Sequence, residues 1–257
     1  MLLIIEALLL ILAALGQDHR AAVAEQIFPL DMVPNSVDDQ YWGCHRKMAH
    51  LVKTKYLMKE MKNSHQFKHF WQMNKNVVKF PKGRLTRNHL TAIRVYTGIY
   101  IYRHFNDETR NGRKQYKHKS FKWYSLHFLL TEAIQILKKK QHKCYSTYRG
   151  TRATFDKHVL NKEIRFGSFT SSSLDPKITK GFGTKSCFKI YTCEGAELTK
   201  YSQFPSIKEV LIPPYEKFRV TAVKTRKSYK NLPCDTVYTL KSSGRKSYMN
   251  CALFKKH

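Results

Sequence analysis

Acidic residues are scarce in this 257-residue chain. Only 18 Asp and Glu stand against 47 Lys and Arg, for a formal net charge of +29. Such an excess attracts polyanions: nucleic acid, acidic glycans, anionic membranes and phosphate-bearing ligands. The basic residues run from Arg46 to Lys255-Lys256 without forming one block. A coat of this kind predicts non-specific, salt-sensitive polyanion binding and argues against a sequence-reading site. Long apolar runs are missing beyond the first residues, so no transmembrane helix is expected. The final Ala252-Leu253-Phe254-Lys255-Lys256-His257 has no hydrophobic tail and hence no lipid-anchor signal. No Asn-x-Ser/Thr sequon occurs. The absence of any C-x-x-C pair argues against a structural zinc site. No Gly-Lys-Ser/Thr phosphate loop and no Gly-x-Ser-x-Gly elbow occur, and Gly181-Phe182-Gly183 lacks the third glycine of a dinucleotide loop. The 12 histidines are scattered, and the i, i+4 pair His65 and His69 reads as a solvated helix face. No metal is expected.

What is present describes an exported, packed protein. Residues 1–24 read as a secretory signal, with an apolar core from Leu8 to Leu15 and cleavage after Ala24 or Gly16. The remainder, 25–257, reads as one domain that is soluble, secreted and monomeric. An even count of six cysteines in such a chain suggests disulfides, although six cysteines allow 15 connectivities. Tyr and Phe, 15 each, favour a packed core over a disordered basic chain.

The fold class is α+β, since the chain places helices first and strands second. After an extended lead-in at Phe28 to Asn35, Ser36-Val37-Asp38-Asp39 resembles a capped helix start, with the helix running through Cys44 to about Met58. Further helices are expected over Phe67 to Phe80, Leu90 to Tyr102 and Phe121 to Lys140. In the last, Leu126, Leu130, Ala133, Ile134 and Leu137 form an apolar stripe, and Lys138-Lys139-Lys140 sit at the negative end of the dipole. Strands are expected at Cys144–Arg149, Ile164–Thr170, Cys187–Cys193, Glu209–Ile212, Phe218–Val223, Thr236–Leu240 and Tyr248–Phe254.

Three segments carry candidate chemistry. Tyr148-Arg149-Gly150 places an arginine at a strand end, able to fork onto a phosphate, beside a glycine that lets a ligand approach the backbone. Arg165-Phe166-Gly167-Ser168-Phe169 leads into the hydroxyl cluster Ser171-Ser172-Ser173. Glu209 heads the short apolar run Val210-Leu211-Ile212, which Pro213-Pro214 stops. Taken alone, Glu209 is most simply a solvated strand end.

Arg, Ser and Glu in that order resemble the R-S-E class of mono-ADP-ribosyltransferases, specifically the vertebrate secreted or surface ecto-ADP-ribosyltransferases that act on arginine. The resemblance extends over Asp31-Met32-Val33-Pro34-Asn35-Ser36-Val37-Asp38-Asp39-Gln40-Tyr41 and Leu126-His127-Phe128-Leu129-Leu130-Thr131 as well as the three segments. It implies a helical N-terminal part followed by two β-sheets that enclose an NAD cleft. NAD or NADP would be the substrate, a protein the acceptor, and nicotinamide the released product. Arg149 would hold the NAD phosphates, and Gly150 would contact the nicotinamide amide. Ser171 would position the acid and the nicotinamide ribose, and Glu209 would be the catalytic carboxylate. The family's disulfides imply Cys44–Cys251 and Cys144–Cys193. Cys187 and Cys234 would form a third bridge or remain thiols.

Cleaving the nicotinamide–ribose bond generates an oxocarbenium-like centre that a carboxylate stabilises, as in glycosidases. Arginine-specific members carry Glu-x-Glu; here the segment is Ile207-Lys208-Glu209. Ile207 can neither accept a proton nor orient a guanidinium, and Lys208 repels one. The competing expectations are therefore an arginine transferase, an NAD glycohydrolase, and a catalytically weakened cationic protein that adheres to anionic surfaces.

Overall fold

The computed structural model describes residues 26–79 and 83–254. The expected signal segment 1–24 lies outside the described residues. Helices fill the first half: α1 (His45–Leu51), a π-helical stretch (Val52–Tyr56), α2 (Leu57–Asn63), α3 (His65–Val77), α4 (Arg87–Thr97), α5 (Tyr102–Asn111), α6 (Arg113–Lys117) and α7 (Tyr124–Gln141). The strands are β1 (Ile27–Phe28), β2 (Tyr145–Thr151), β3 (Thr154–Phe155), β4 (Glu163–Ile164), β5 (Thr170–Ser173), β6 (Ser186–Thr192), β7 (Ala196–Glu197), β8 (Glu209–Ile212), β9 (Glu216–Thr225) and β10 (Thr236–Arg245). This is the α+β arrangement expected from the segregation of patterns.

The central helix is α7. Its stripe Leu126, Leu130, Ala133, Ile134 and Leu137 is buried, and Phe128 and Leu129 are buried beside it. Each such side chain contributes roughly 1.5–3 kcal/mol of hydrophobic burial. Helix α4, the π-helical stretch and β7 pack around it. Lys138, Lys139 and Lys140 occupy its last turn, and His142 caps it in the left-handed region at φ 49°, the helix-end role that the sequence suggested. His65 and His69 are both exposed on α3.

The large sheet has the order β4-β9-β10-β6-β2-β5-β8-β7. It is mixed: β10 runs parallel to β6, and the other pairs are antiparallel. Strands β2 and β5 are joined by a single register pair, Tyr148 with Ser173. The two-sheet expectation takes this form: a five-strand limb and a three-strand limb meeting at one pinch point. β1 and β3 form a separate parallel pair.

Several boundaries differ from expectation. The first helix begins at His45 rather than Ser36. Asp38 and Asp39 are not N-terminal helix acids but buried acceptors for the C-terminal segment: Tyr248 N and Met249 N donate to Asp38, and Cys251 N to Asp39. For the same reason 248–254 is no strand but a turn followed by the short 3-10 helix Ala252–Phe254. The strand expected at Ile164–Thr170 stops at Ile164, because Arg165 turns into the N-terminal segment and Gly167, at φ 71°, packs on Val33. The serine cluster expected at a strand end is itself β5. Finally, Arg149 does not end β2, because pairing with β6 continues through Gly150–Cys187 and Thr151–Ser186.

All six cysteines are paired, as Cys44–Cys251, Cys144–Cys193 and Cys187–Cys234. The third bridge resolves the open alternative and ties β6 to the start of β10. Such bridges form and persist in oxidising compartments, outside the cytosol. No helix among the described residues is long and apolar enough to cross a membrane.

Candidate active site

Strand periodicity decides where Glu209 points. Leu211 packs into the helical core and Ile212 into the sheet core. With successive side chains on opposite faces, Glu209 shares the Leu211 side and looks toward the helices. The turn before it is held on both flanks. Pro205–Ile207 form a 3-10 turn, and Lys208 takes a left-handed φ of 50°, a conformation uncommon away from glycine. Ser173 Oγ donates to the Ile207 carbonyl at 2.6 Å, Leu174 N to the Lys208 carbonyl at 3.1 Å, and Leu198 N to the Glu209 carbonyl at 2.8 Å.

The three serines of β5 divide their work. Ser172 and Ser173 are buried and donate to the carbonyls of Val210 and Ile207. Ser171 is half-buried, and its hydroxyl acts on Glu209 and Tyr96. Arg149, also half-buried, donates Nη1–H to the Ser171 carbonyl at 2.7 Å. The next residue must be glycine: a Cβ on Gly150 would lie 2.3 Å from the Thr179 carbonyl oxygen and 2.5 Å from that of Gly183. The approach it admits is that of the 178–183 turn, whose Gly181 and Phe182 face the same opening.

That opening is a cleft of about 630 Å³ where β2 and β5 part beyond their single pair. Arg149, Gly150, Ser171 and Glu209 all line it, so the structure brings the expected site residues together. Tyr96 from α4 and Asn106 from α5 close the helical side, and Ile99, Phe182, Phe204 and Ile207 make much of the remaining wall apolar. Arg103 and Arg152 add two further cations. Three guanidiniums against one buried carboxylate make a cavity suited to a phosphate-bearing ligand with one electron-poor centre.

Glu209 is 4% exposed. Burial pushes its carboxyl above the ordinary glutamate value, opposed by the Ser171 hydroxyl, the Arg149 charge and the Ser202 hydroxyl. Burial lowers the Arg149 guanidinium from its usual value, and Arg110 adds repulsion. Tyr96 is pushed up to about 12, chiefly by burial; its hydroxyl donates to the Phe169 carbonyl at 3.0 Å and accepts from Asn106 Nδ2 at 3.2 Å. Ser202 and Tyr96 escape sequence reasoning. Ser202 sits in an irregular loop seven residues before Glu209, and Tyr96 falls on the apolar side of α4 and reads as core. Arg103 and Arg152 are hidden among 47 basic residues.

Ile207 lines the cleft where the Glu-x-Glu pattern would put a carboxylate, and among the described residues Glu209 is the only acid in its wall. One cluster of potential metal-ligand types, Asp39 with Cys44 and Cys251, has both sulfurs committed to a disulfide.

Residues 30–246 match the sequence profile of the family described as NAD:arginine ADP-ribosyltransferase. The chain belongs to that family. It is 34% identical over 238 residues to NAD(P)(+)--arginine ADP-ribosyltransferase 2 of Gallus gallus, covering 88% of this chain and 73% of that protein. It is likewise 34% identical over 239 residues to ecto-ADP-ribosyltransferase 5 of Bos taurus, covering 87% of this chain and 73% of that protein. Among solved structures it resembles the eukaryotic mono-ADP-ribosyltransferase ART2.2. A glutamate variant of ART2.2 in complex with NADH superposes with a TM-score of 0.74 at 31% identity, over 89% of this chain and all of that one. A second glutamate variant, in complex with NAD, gives 0.72 at the same identity and coverage. These complexes belong to relatives that share the family fold, with a helical part followed by the mixed sheet.

Proposed function

We propose that the protein is an extracellular NAD-dependent mono-ADP-ribosyltransferase whose donor chemistry runs through Arg149, Ser171 and Glu209. The observation that carries this is the convergence of these three residues, from three separate strands, on one cleft. Arg149 forks onto the NAD pyrophosphate, supported by Arg103 and Arg152. Gly150 presents its backbone to the nicotinamide amide. As the bond between nicotinamide nitrogen and ribose C1′ breaks, its electron pair leaves with nicotinamide, which departs neutral and needs no acid. The positive charge left on the ribose faces the Glu209 carboxylate, which Ser171 and Ser202 hold in place. An acceptor nucleophile then bonds to C1′ and gives up its proton to solvent water.

Ile207 bears on that last step. A guanidinium entering an apolar wall finds no second carboxylate to orient it or take its proton. Water needs less orientation, so NAD glycohydrolysis competes with transfer to a protein acceptor, and arginine transfer is slow. The +29 charge concentrates the enzyme on anionic surfaces as an additional property, not as a replacement for catalysis. In this reading residues 1–24 are a secretory signal, 25–257 are a single catalytic domain, and the product acts as a secreted monomer.

The test is nicotinamide release from labelled NAD by the secreted protein, with and without an arginine analogue. Release that falls about a hundredfold or more in Glu209→Gln supports the assignment. Wild-type protein that releases no nicotinamide leaves only the cationic binding reading.

A further inference from the structure

The cations of this chain are spread along it, but the acids are not. Between Gln40 and Asn106 the only acid is Glu60, and it is buried. Within that stretch α1, the π-helical segment and α2 run on as one rod, since the junction residues Val52 and Leu57 keep helical φ and ψ. At about 1.5 Å per residue the rod is roughly 28 Å long. Its inward residues are Met48, Val52, Tyr56 and Glu60, one in every four. An α-helix turns once in 3.6 residues, so this spacing would drift around its surface; the wider π turn keeps the four on one side. The opposite ridge is Arg46, His50, Thr54, Met58 and Lys62, and every one of them is exposed. Lys47, Lys53, Lys55 and Lys59 flank the ridge and are exposed too. Glu132 and Glu108 border the rod, at His45 and near Lys59, and both are already engaged, the first with His45 and His89 and the second with Lys122.

Apolar side chains accompany these cations. Met58 is 61% exposed, and Trp42, just before the rod, is 76% exposed. The backbone that carries Trp42 is fixed. Tyr41 and Cys44 on either side are buried, the first with its hydroxyl 2.8 Å from His127 Nδ1 and the second bridged to Cys251. Trp42 N donates to Asn250 Oδ1 at 2.9 Å, and Asn250 Nδ2 donates to the Trp42 carbonyl at 3.0 Å. The indole is therefore displayed to solvent from a fixed loop at the N-terminal end of the rod.

We propose that the exposed face of this rod, with Trp42 at its head, docks the protein on an anionic lipid bilayer. Lys and Arg meet the lipid phosphates, while the Trp42 indole and the Met58 side chain enter the boundary between headgroups and acyl chains. Tryptophan suits that boundary because its ring is apolar and its N–H polar. A sulfated glycan or a nucleic acid would answer the charges but leave Met58, which has neither a charge nor a ring, without a use. The face shares no residue with the NAD cleft, so the inference goes beyond the catalytic reading and does not rest on it.

The experiment measures partition of the disulfide-intact protein onto vesicles of equal parts phosphatidylglycerol and phosphatidylcholine, by sedimentation at physiological salt, together with tryptophan emission on the same vesicles carrying brominated acyl chains. Of the three tryptophans, Trp71 and Trp123 are buried, so quenching by bromine reports Trp42. The expected result is binding with quenched emission, and at least about a hundredfold weaker binding to phosphatidylcholine alone. Trp42→Ala loses the quenching and about tenfold in affinity. Replacing Arg46, Lys47, Lys53 and Lys62 together by Gln costs about a hundredfold or more. The same change of charge at Lys224, Lys227, Lys230 and Lys241, exposed on the β9–β10 hairpin, costs less than about tenfold, because an exposed charge acts over only about 8 Å at this salt. The proposal is overturned if the wild type does not bind the anionic vesicles, if it binds them with Trp42 unquenched, or if the two charge variants lose affinity equally, which would leave net charge alone at work. A heparin fragment or a DNA duplex that binds the protein while the vesicles leave Trp42 unquenched gives the face to that polyanion and overturns the membrane assignment. Should a charge variant not fold, quenching of the wild type still decides. None of these readouts uses NAD turnover, so they stand or fall apart from the catalytic reading.

Discussion

Two arginines in strand-edge motifs have opposite fates. Arg165, between β4 and β5, is wholly buried. It donates to the carbonyls of Met32, Val33, Pro214 and Lys246, to Ser36 Oγ and to the Asp38 carboxylate, and it lies over the Tyr248 ring at 4.9 Å. Arg149 is half-buried, with one side-chain hydrogen bond among the described residues, to the Ser171 carbonyl, and its remaining donors border an open cleft. A guanidinium has five N–H donors. Where the protein satisfies them, the residue is a fastener; where it leaves them facing a cavity beside a carboxylate, they are free for a ligand. In sequence the two look alike.

The distinction is broken most directly at the fastener. Arg165→Ala leaves Asp38 as a buried charge without its counterion, although the backbone donors of Tyr248 and Met249 remain. Removing one partner of a buried ion pair costs about 3–5 kcal/mol, enough to lower Tm by roughly 10 °C in a domain of this size. A thermal shift of only a degree or two would show that the N- and C-terminal segments hold together without it. Arg149→Lys should behave in the opposite way. It keeps the charge but loses the fork, so KM for NAD rises about tenfold to a hundredfold while Tm moves by less than about 3 °C. Equal damage to stability and binding would erase the division between the two sites.

The carboxylates allow a similar test by pH. The proposed mechanism needs Glu209 ionised, and burial holds its pKa above that of an ordinary glutamate. Nicotinamide release should therefore fall about tenfold per pH unit below that raised value, with the acid limb displaced upward from the usual carboxylate range. For stability the sign runs the other way. A carboxyl whose folded pKa is raised contributes fully below its unfolded pKa, and the contribution is lost as pH rises through the folded value. Glu209→Gln should thus be no less stable than the wild type at neutral pH while being inactive. A variant that is both inactive and less stable would make Glu209 a structural acid.

Elements governed by local pattern were legible in the sequence. The apolar stripe locates α7, and the limits of β8, Glu209 to Ile212, follow from a β-branched run stopped by two prolines. The resemblance supplied the R-S-E residues and two of the disulfides. Elements governed by distant partners were not legible. Ser36 to Asp39 has the chemistry of a helix start, but its acids are claimed by backbone donors more than 200 residues away. Tyr248 to Phe254 reads as a strand by composition, yet the Cys44–Cys251 bridge and the bonds to Asp38 and Asp39 fold it into a turn and a short 3-10 helix. Tyr96 and Ser202 join the site only because α4 and an irregular loop fold over β8; neither periodicity nor motif marks them. In each case a tertiary contact overrides a local preference that was read correctly as far as it went.

The smallest expected effect falls at Ile207. Its side chain lines the NAD cleft and its carbonyl is fixed by Ser173 Oγ, so a new side chain there starts from an anchored backbone. Ile207 is half-buried and its neighbours Pro205, Ser206 and Lys208 are exposed, which leaves a carboxylate there hydrated and ionised. Ile207→Glu would place that carboxylate two residues before Glu209, where it can orient an incoming guanidinium and accept its proton. General-base assistance of this kind is worth a hundredfold or more in a fully formed site. Here Lys208 beside it and the apolar Ile99, Phe182 and Phe204 hold the gain to about tenfold. The measurement is the ratio of ADP-ribosylated agmatine to free ADP-ribose at fixed NAD. A ratio that rises with total nicotinamide release unchanged separates acceptor choice from donor cleavage, and places the first in residue 207 and the second in Arg149, Ser171 and Glu209. A rise in nicotinamide release with no change in the ratio would mean that residue 207 acts on the donor, and that arginine is turned away by some other part of the wall.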